Sequence, residues 1–297
     1  MFELALGAVA LVTAFIGSSI AAWQDLRTTE IPDEISYAMI IVALVVYGTQ
    51  SLLAWNYWPL LNSFMVGLAF LGFGFLMYFL GQWGGGDAKI LGAMGFLLPA
   101  APSFISPNFF NLTPFFPFPF SFMVNVFLVG AAYMIIYAIV MALRNRDIVR
   151  KFKEDMAASC RFLLALSAAL FAAFIAIGFA LSNAFYARLS LGEIVADSIL
   201  PLAATVMIFV VWKFARAVEN VGFKRRVSVG RLKVGDVLDK SRLWEGITEK
   251  ELRTLRRSKT RYVWVKEGVR FAPAFPLALL VTALFGDVLI LLVRSLA

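Results

Sequence analysis

Long apolar runs, separated by short polar breaks, dominate this chain. A membrane-crossing helix needs about 20 apolar residues. Eight stretches approach that length: residues 3–24, 35–54, 59–81, 88–105, 121–143, 161–182, 195–215 and 272–293. Pro99 and Pro102 interrupt the fourth, and Pro273 and Pro276 lie near the start of the last. The first stretch carries Glu3 and no Lys or Arg at its tip, so it reads as a retained span and not as a cleaved leader. The pattern changes over residues 218–270. Val227, Val229, Leu232, Val234 and Val237 predict short strands around Gly230 and Gly235. Thr248 with Glu251 forms a capping box for a helix through about Arg257. Tyr262–Val265 predicts another strand. The expected fold is an all-α polytopic membrane protein of about eight transmembrane helices, with a small α+β appendage.

Composition agrees. Hydrophobic residues make up 61% of the chain and charged residues 15%, against about 25% charged in soluble domains. The net charge of +8 reads as positive loops on one membrane face, with no nucleic-acid partner implied. Arg144, Arg146, Arg150, Lys151, Lys153 and Arg161 cluster in one loop. Residues 213–270 hold seventeen Lys and Arg against seven Asp and Glu, a net +10. Both regions are therefore expected in the cytoplasm, and the +10 segment is expected to meet anionic lipid headgroups. With eight spans both termini fall outside, and the 25–34 loop and the Gly84–Asp87 turn fall on the cytoplasmic side. The Phe- and Pro-rich 106–120 loop, with the short sequon Asn111-Leu-Thr113, falls on the other.

Histidine is absent and Cys160 is the only cysteine. That removes Ser-His and Cys-His nucleophile pairs, HExxH metal sites and disulfides within the chain. No metal or cofactor is expected. Carboxylates, lysines and hydroxyls remain.

Two carboxylates stand out. Gly84-Gly85-Gly86-Asp87-Ala88-Lys89 places Asp87 behind three glycines at the mouth of an apolar run, and Asp25 closes the first span. An ionisable group at the edge of lipid marks function by default. Two carboxylates brought close share one proton: the ionised one takes a proton from water and the other donates to a carbonyl. Asp87 should open a helix, where the dipole favours an anion. With Lys89 nearby, it is expected to hold the charge more of the time. The glycines are expected to admit a substrate backbone. Gly-x-Gly-Asp alone arises by chance in roughly one chain in ten of this length. Its position at a membrane edge, with Asp25 and Ile31-Pro32, is far more specific. The plain alternatives are a helix-terminal carboxylate for Asp25, an N-cap for Asp87 and an interfacial lysine for Lys89.

Here the chain resembles a known family. Asp25-Leu-Arg-Thr-Thr-Glu-Ile-Pro-Asp-Glu-Ile-Ser36 is similar to the first-aspartate loop of type IV prepilin peptidases. Gly84–Gly95 is similar to their Gly-x-Gly-Asp-x-Lys segment. Arg270-Phe-Ala-Pro-Ala-Phe-Pro276 resembles the C-terminal part of the archaeal branch, the preflagellin and prepilin peptidases. Bacterial members usually carry paired Cys-x-x-Cys motifs in a long first loop. This chain has one cysteine and a short loop, as in the archaeal branch. Archaeal members usually have about six spans, so 161–182 and 195–215 look like an insertion. The resemblance implies a membrane-embedded aspartyl endopeptidase with Asp25 and Asp87 catalytic. Its substrates would be precursor pilins or archaellins, cut at the cytoplasmic face between a basic leader and a hydrophobic helix.

The rest follows from these readings. Residues 1–105 carry both aspartates, 106–217 hold further spans, 218–270 form the appendage and 271–297 the last span. Glu30, Asp33 and Glu34 make the first loop acidic, as a solvated loop or as an attractor of a basic leader. Asp287 falls too far along the last span to meet Asp25 or Asp87. Two competing readings stay open. A presenilin-like protease also uses Gly-x-Gly-Asp, with Tyr-Asp in the preceding helix and a later Pro-Ala-Leu, of which Pro273-Ala-Phe is a partial echo. A secondary transporter or channel would use the glycine-broken helix for an ion.

Overall fold

A computed structural model of the chain describes residues 2–103, 105, 115–184, 190–239, 241, 246–258, 260–266 and 268–296. Most of the 106–120 loop, including Asn111–Thr113, lies outside them. Ten α-helices and three strands are described, in two compact units: residues 1–136 with 226–297, and residues 137–225.

In the first unit, α1 (Phe2–Thr28), α2 (Asp33–Leu53) and α3 (Trp58–Phe79) surround a short helix, α4 (Gly85–Leu97). The small residues of α1, Ala10, Ala14, Ser18, Ala21 and Ala22, face inward at helical spacing and end at Asp25. Its large residues, Val9, Val12, Phe15, Ile16 and Ile20, face outward, the arrangement expected where lipid is the solvent.

The stretch 88–105 forms no crossing helix. Only 13 residues are helical, about 20 Å at 1.5 Å per residue, against an apolar layer of about 30 Å. Apart from Lys89, residues 87–99 are buried. Small residues let α4 approach α3 closely: a Cβ on Gly74 would lie 2.8 Å from the Ala88 backbone, and one on Gly95 2.9 Å from the Val66 carbonyl oxygen. At its C-terminus, freed carbonyls accept side-chain donors. Tyr47 Oη binds Leu97 O (2.8 Å), Ser63 Oγ binds Phe96 O (2.7 Å) and Asn62 Nδ2 binds Pro99 O (3.3 Å). A helix can end inside an apolar core only when these groups are met.

Helix α5 (Phe118–Arg144) runs from the first unit into the second. There it is followed by α6 (Arg146–Ala184) and α7 (Leu191–Gly222), which pack together. The expected basic loop 144–161 is instead the start of α6, a 39-residue helix. Ion pairs at helical spacing support it: Arg150–Asp147, Arg150–Glu154 and Lys151–Asp155. At about 58 Å, α6 is far longer than a bilayer core, so its polar first turns extend beyond it. Ile148, Phe152, Phe214, Ala217 and Val218 close a small apolar core between them.

The appendage has a three-stranded sheet in the order β1 (Lys224–Ser228), β3 (Tyr262–Lys266), β2 (Val237–Leu238). Helix α8 (Glu249–Arg257) begins as the capping box requires: Thr248 Oγ1 accepts the Glu251 N–H, and Glu251 accepts the Thr248 N–H. The Thr248 N–H and hydroxyl, which both donate to Glu251 Oε2, hold the Glu251 carboxyl below its usual range. Val229, Leu232, Ile247, Leu252 and Val265 form the core.

The last stretch is a bent pair, α9 (Ala274–Phe285) and α10 (Val288–Leu296), with an angle of 61° between them. Gly286 turns the chain at φ 66°, a region glycine enters readily. Asn125 Nδ2 of α5 binds the freed Gly286 carbonyl at 2.8 Å. Asp287 accepts the Phe115 and Phe116 N–H groups and the Ser121 hydroxyl, an anchoring role remote from Asp25. Among the described residues, six helices are long and apolar enough to cross a membrane, and the bent pair makes up to seven. This is a multi-pass membrane architecture, one or two crossings short of the eight expected. The 88–105 stretch accounts for one.

Candidate functional site

Asp25 lies on the inward face of α1, three residues from its end, and is 4% exposed. Its Oδ2 accepts the backbone N–H of Ala272 at 3.0 Å. Asp87 lies in the first turn of α4 and is 7% exposed. Its Oδ2 accepts the Gly84 N–H at 3.2 Å, while Oδ1 is buried without a hydrogen bond. Helices α1 and α4 pack together, and the two carboxylates lie within electrostatic reach of each other. Arg270 is within reach of Asp25. The two aspartates, 62 residues apart in sequence, thus share one buried site.

Of the three glycines, Gly86 is fixed by contact: a Cβ there would lie 2.9 Å from the Ile31 Cβ. The loop after Asp25 and the turn before Asp87 therefore lie directly against each other. Gly85 has ordinary room beside Tyr78, and a Cβ on Gly84 would lie 3.3 Å from Asp87 Oδ2.

Lys89 bridges the same two segments. Its Nζ lies 2.6 Å from both carboxylate oxygens of Asp33, the first residue of α2. Its partner is Asp33, and not the Asp87 beside it in sequence.

Residues 12–143 match the type IV leader peptidase family, and the match contains Asp25, the three glycines, Asp87 and Lys89. Over these residues the chain is similar to the type IV leader peptidase family. Similar proteins carry related names. A prepilin peptidase of Methanothermobacter thermautotrophicus is 24% identical over 148 residues, covering 48% of this chain and 38% of that protein. A preflagellin peptidase of Methanococcus voltae is 30% identical over 139 residues, 46% of this chain and 58% of that one. A preflagellin peptidase of Methanocaldococcus jannaschii is 29% identical over 154 residues, 51% and 64%. The chain spans less than two thirds of the length of each.

The leader peptidase match ends at residue 143. Ala272 and Arg270, which touch or face Asp25, lie beyond it. Sequence reasoning missed both contacts. A backbone donor leaves no signal in residue type, and the only hint was the likeness of Arg270–Pro276 to the archaeal branch. Glu30, on the loop after Asp25, and Glu34, in the first turn of α2, are exposed. A Cβ on Gly235 of the appendage would lie 3.9 Å from Glu30 Oε1, so that loop is partly covered.

Proposed function

We propose that this leader peptidase relative is a membrane-embedded aspartyl endopeptidase with Asp25 and Asp87 as its catalytic pair. Its substrates are precursor pilins or archaellins. It cuts a class III signal peptide between a basic leader and a hydrophobic helix, at the cytoplasmic face. The observation that carries this reading is that two buried carboxylates, from α1 and α4, lie within electrostatic reach of each other. Two buried carboxylates within electrostatic reach of each other cannot both ionise cheaply, so the pair holds one proton. That is the state needed to activate water and polarise a peptide carbonyl together. The net-basic appendage, whose last strand leads on to the Ala272 that bonds Asp25, points to the cytoplasmic side. Names borne by the similar archaeal proteins support the substrate class. Glu30 and Glu34 draw the basic leader toward the pair.

The test is direct. Purified protein is mixed with a precursor pilin or archaellin, and the product is followed by gel shift and mass spectrometry. Wild type releases the leader intact. Asp25→Asn and Asp87→Asn each lose at least about a hundredfold in rate while remaining folded. Cleavage that survives either substitution rejects the pair. A folded wild type that cuts no such precursor rejects the substrate class.

A further inference from the structure

The segment Arg270–Phe275, just before and at the start of α9, is the part of the site that the catalytic reading leaves unexplained. It touches both aspartate-bearing segments. On one side, Ala272 donates its N–H to Asp25 Oδ2 at 3.0 Å, with Ala272 fully buried. On the other, Phe271 and Phe275 pack on Trp83, the residue before Gly84, with ring centroids 5.4 and 6.1 Å apart. Trp83 is itself 7% exposed. The segment therefore fixes the turn that leads into Asp87 while it bonds Asp25.

The two carboxylates are treated unequally. Asp25 faces a backbone donor and the Arg270 cation. Burial disfavours charge on both carboxylates, but at Asp25 the N–H bond and, more weakly, Arg270 work against it. Asp87 faces the Asp25 charge and accepts one N–H, and its Oδ1 is buried with no partner. The nearest lysine in sequence, Lys89, is taken by Asp33. Among the described residues, Arg270 is thus the cation that acts on Asp25.

We propose that Arg270–Phe275 forms a third wall of the site that holds Asp25 as the ionised, water-activating carboxylate, so that Asp87 carries the shared proton. Arg270 is a positioning residue in this scheme. In the first half-reaction water oxygen bonds to the peptide carbon. One water proton passes to Asp25, and the Asp87 proton passes to the carbonyl oxygen. In the second, the C–N bond breaks, the nitrogen takes the proton from Asp25, and the diol oxygen returns one to Asp87. The pair ends as it began. The assignment rests on the catalytic reading above, and reverses the expectation drawn from the helix dipole and Lys89.

The test is the pH dependence of kcat/KM for full-length protein cutting a precursor pilin or archaellin. An essential base sets the acid limb of that profile. Removing a nearby cation makes the base harder to ionise, so Arg270→Gln moves the acid limb to higher pH by about one unit. Below the limb this is about a tenfold loss, with KM at the optimum unchanged. Arg270→Lys restores the limb. If Arg270→Gln lowers the melting temperature, Arg270→Met, which keeps the aliphatic stem, answers the same question. An unchanged limb in a folded neutral variant overturns the proposal. So does a loss that is equal at every pH and not rescued by Lys, which marks a purely structural role. Failure of the pair itself shows separately, as cleavage by Asp25→Asn or Asp87→Asn.

Discussion

The acidic residues of the first loop divide into two kinds. The Asp33 carboxylate grips Lys89 at 2.6 Å through both oxygens, with side chains 46% and 30% exposed. A pair this exposed contributes about 1 kcal/mol or less to stability. Its effect is to pin the start of α2 to α4, two residues from Asp87, and small misplacements near reacting atoms are costly in rate. Glu30 and Glu34 are exposed and free to meet a basic leader. Different kinetics follow. Asp33→Asn lowers kcat about tenfold with KM little changed, whatever the leader. Glu30→Gln with Glu34→Gln raises KM for leaders rich in Lys and Arg, and leaves neutral leaders unaffected. Steady-state kinetics on matched basic and neutral leaders check both. A KM effect on both kinds of leader would remove the electrostatic role. The loop was visibly acidic in the sequence. The division was not, because the partner of Asp33 lies 56 positions away, on a helix whose depth the sequence does not give.

At the scale of elements, apolar periodicity made most helices legible, and their ends less so. The capping box and α8 agree with expectation to the residue. Helix α4 does not, because the apolar run from Ile90 continues past its end to Pro99 and Pro102. Residue type cannot distinguish burial in lipid from burial in protein. The ion-pair spacing at Arg150, Glu154, Lys151 and Asp155 was a readable sign that α6 starts early. Glycine positions on α3 offer a check on the placement of α4. Gly72 has open space around its would-be Cβ, whereas a Cβ on Gly74 meets the Ala88 backbone at 2.8 Å. Gly72→Ala therefore raises stability slightly through helix propensity, by up to about 1 kcal/mol. Gly74→Ala pushes α4 away and costs about 1–3 kcal/mol, with cleavage reduced through the displaced Asp87. Unfolding of the purified variants in detergent measures the difference. Equal stabilities would mean that α3 and α4 are not in close contact.

At the scale of the whole molecule, a basic appendage beside a site proposed to take basic leaders needs a reason. The appendage is inserted between two apolar regions and sends its last strand into the segment that bonds Asp25. Along β3, Val263 and Val265 face its core, while Tyr262 and Trp264 are 53% and 50% exposed. The Arg226 guanidinium lies 4.6 Å from the Tyr262 ring centre. An exposed aromatic face with arginine alongside is chemistry suited to headgroups. Lys250, Arg257 and Arg261 add exposed positive charge, and each basic residue near an anionic surface gains about 1 kcal/mol. The alternation along β3 was legible in the sequence, but its connection to Asp25 through Ala272 was not. Docking on anionic lipid would hold the Arg270–Phe275 wall in place. In lipid nanodiscs, wild type then cuts its precursor several-fold faster in anionic than in zwitterionic bilayers. That ratio falls toward one at about 1 M salt, where the Debye length shrinks to about 3 Å. Replacing Lys250, Arg257 and Arg261 with Gln removes the ratio at low salt and leaves the zwitterionic rate intact. A triple variant that keeps the full lipid dependence would place the lipid contact elsewhere on the chain and leave the appendage's charge without this role.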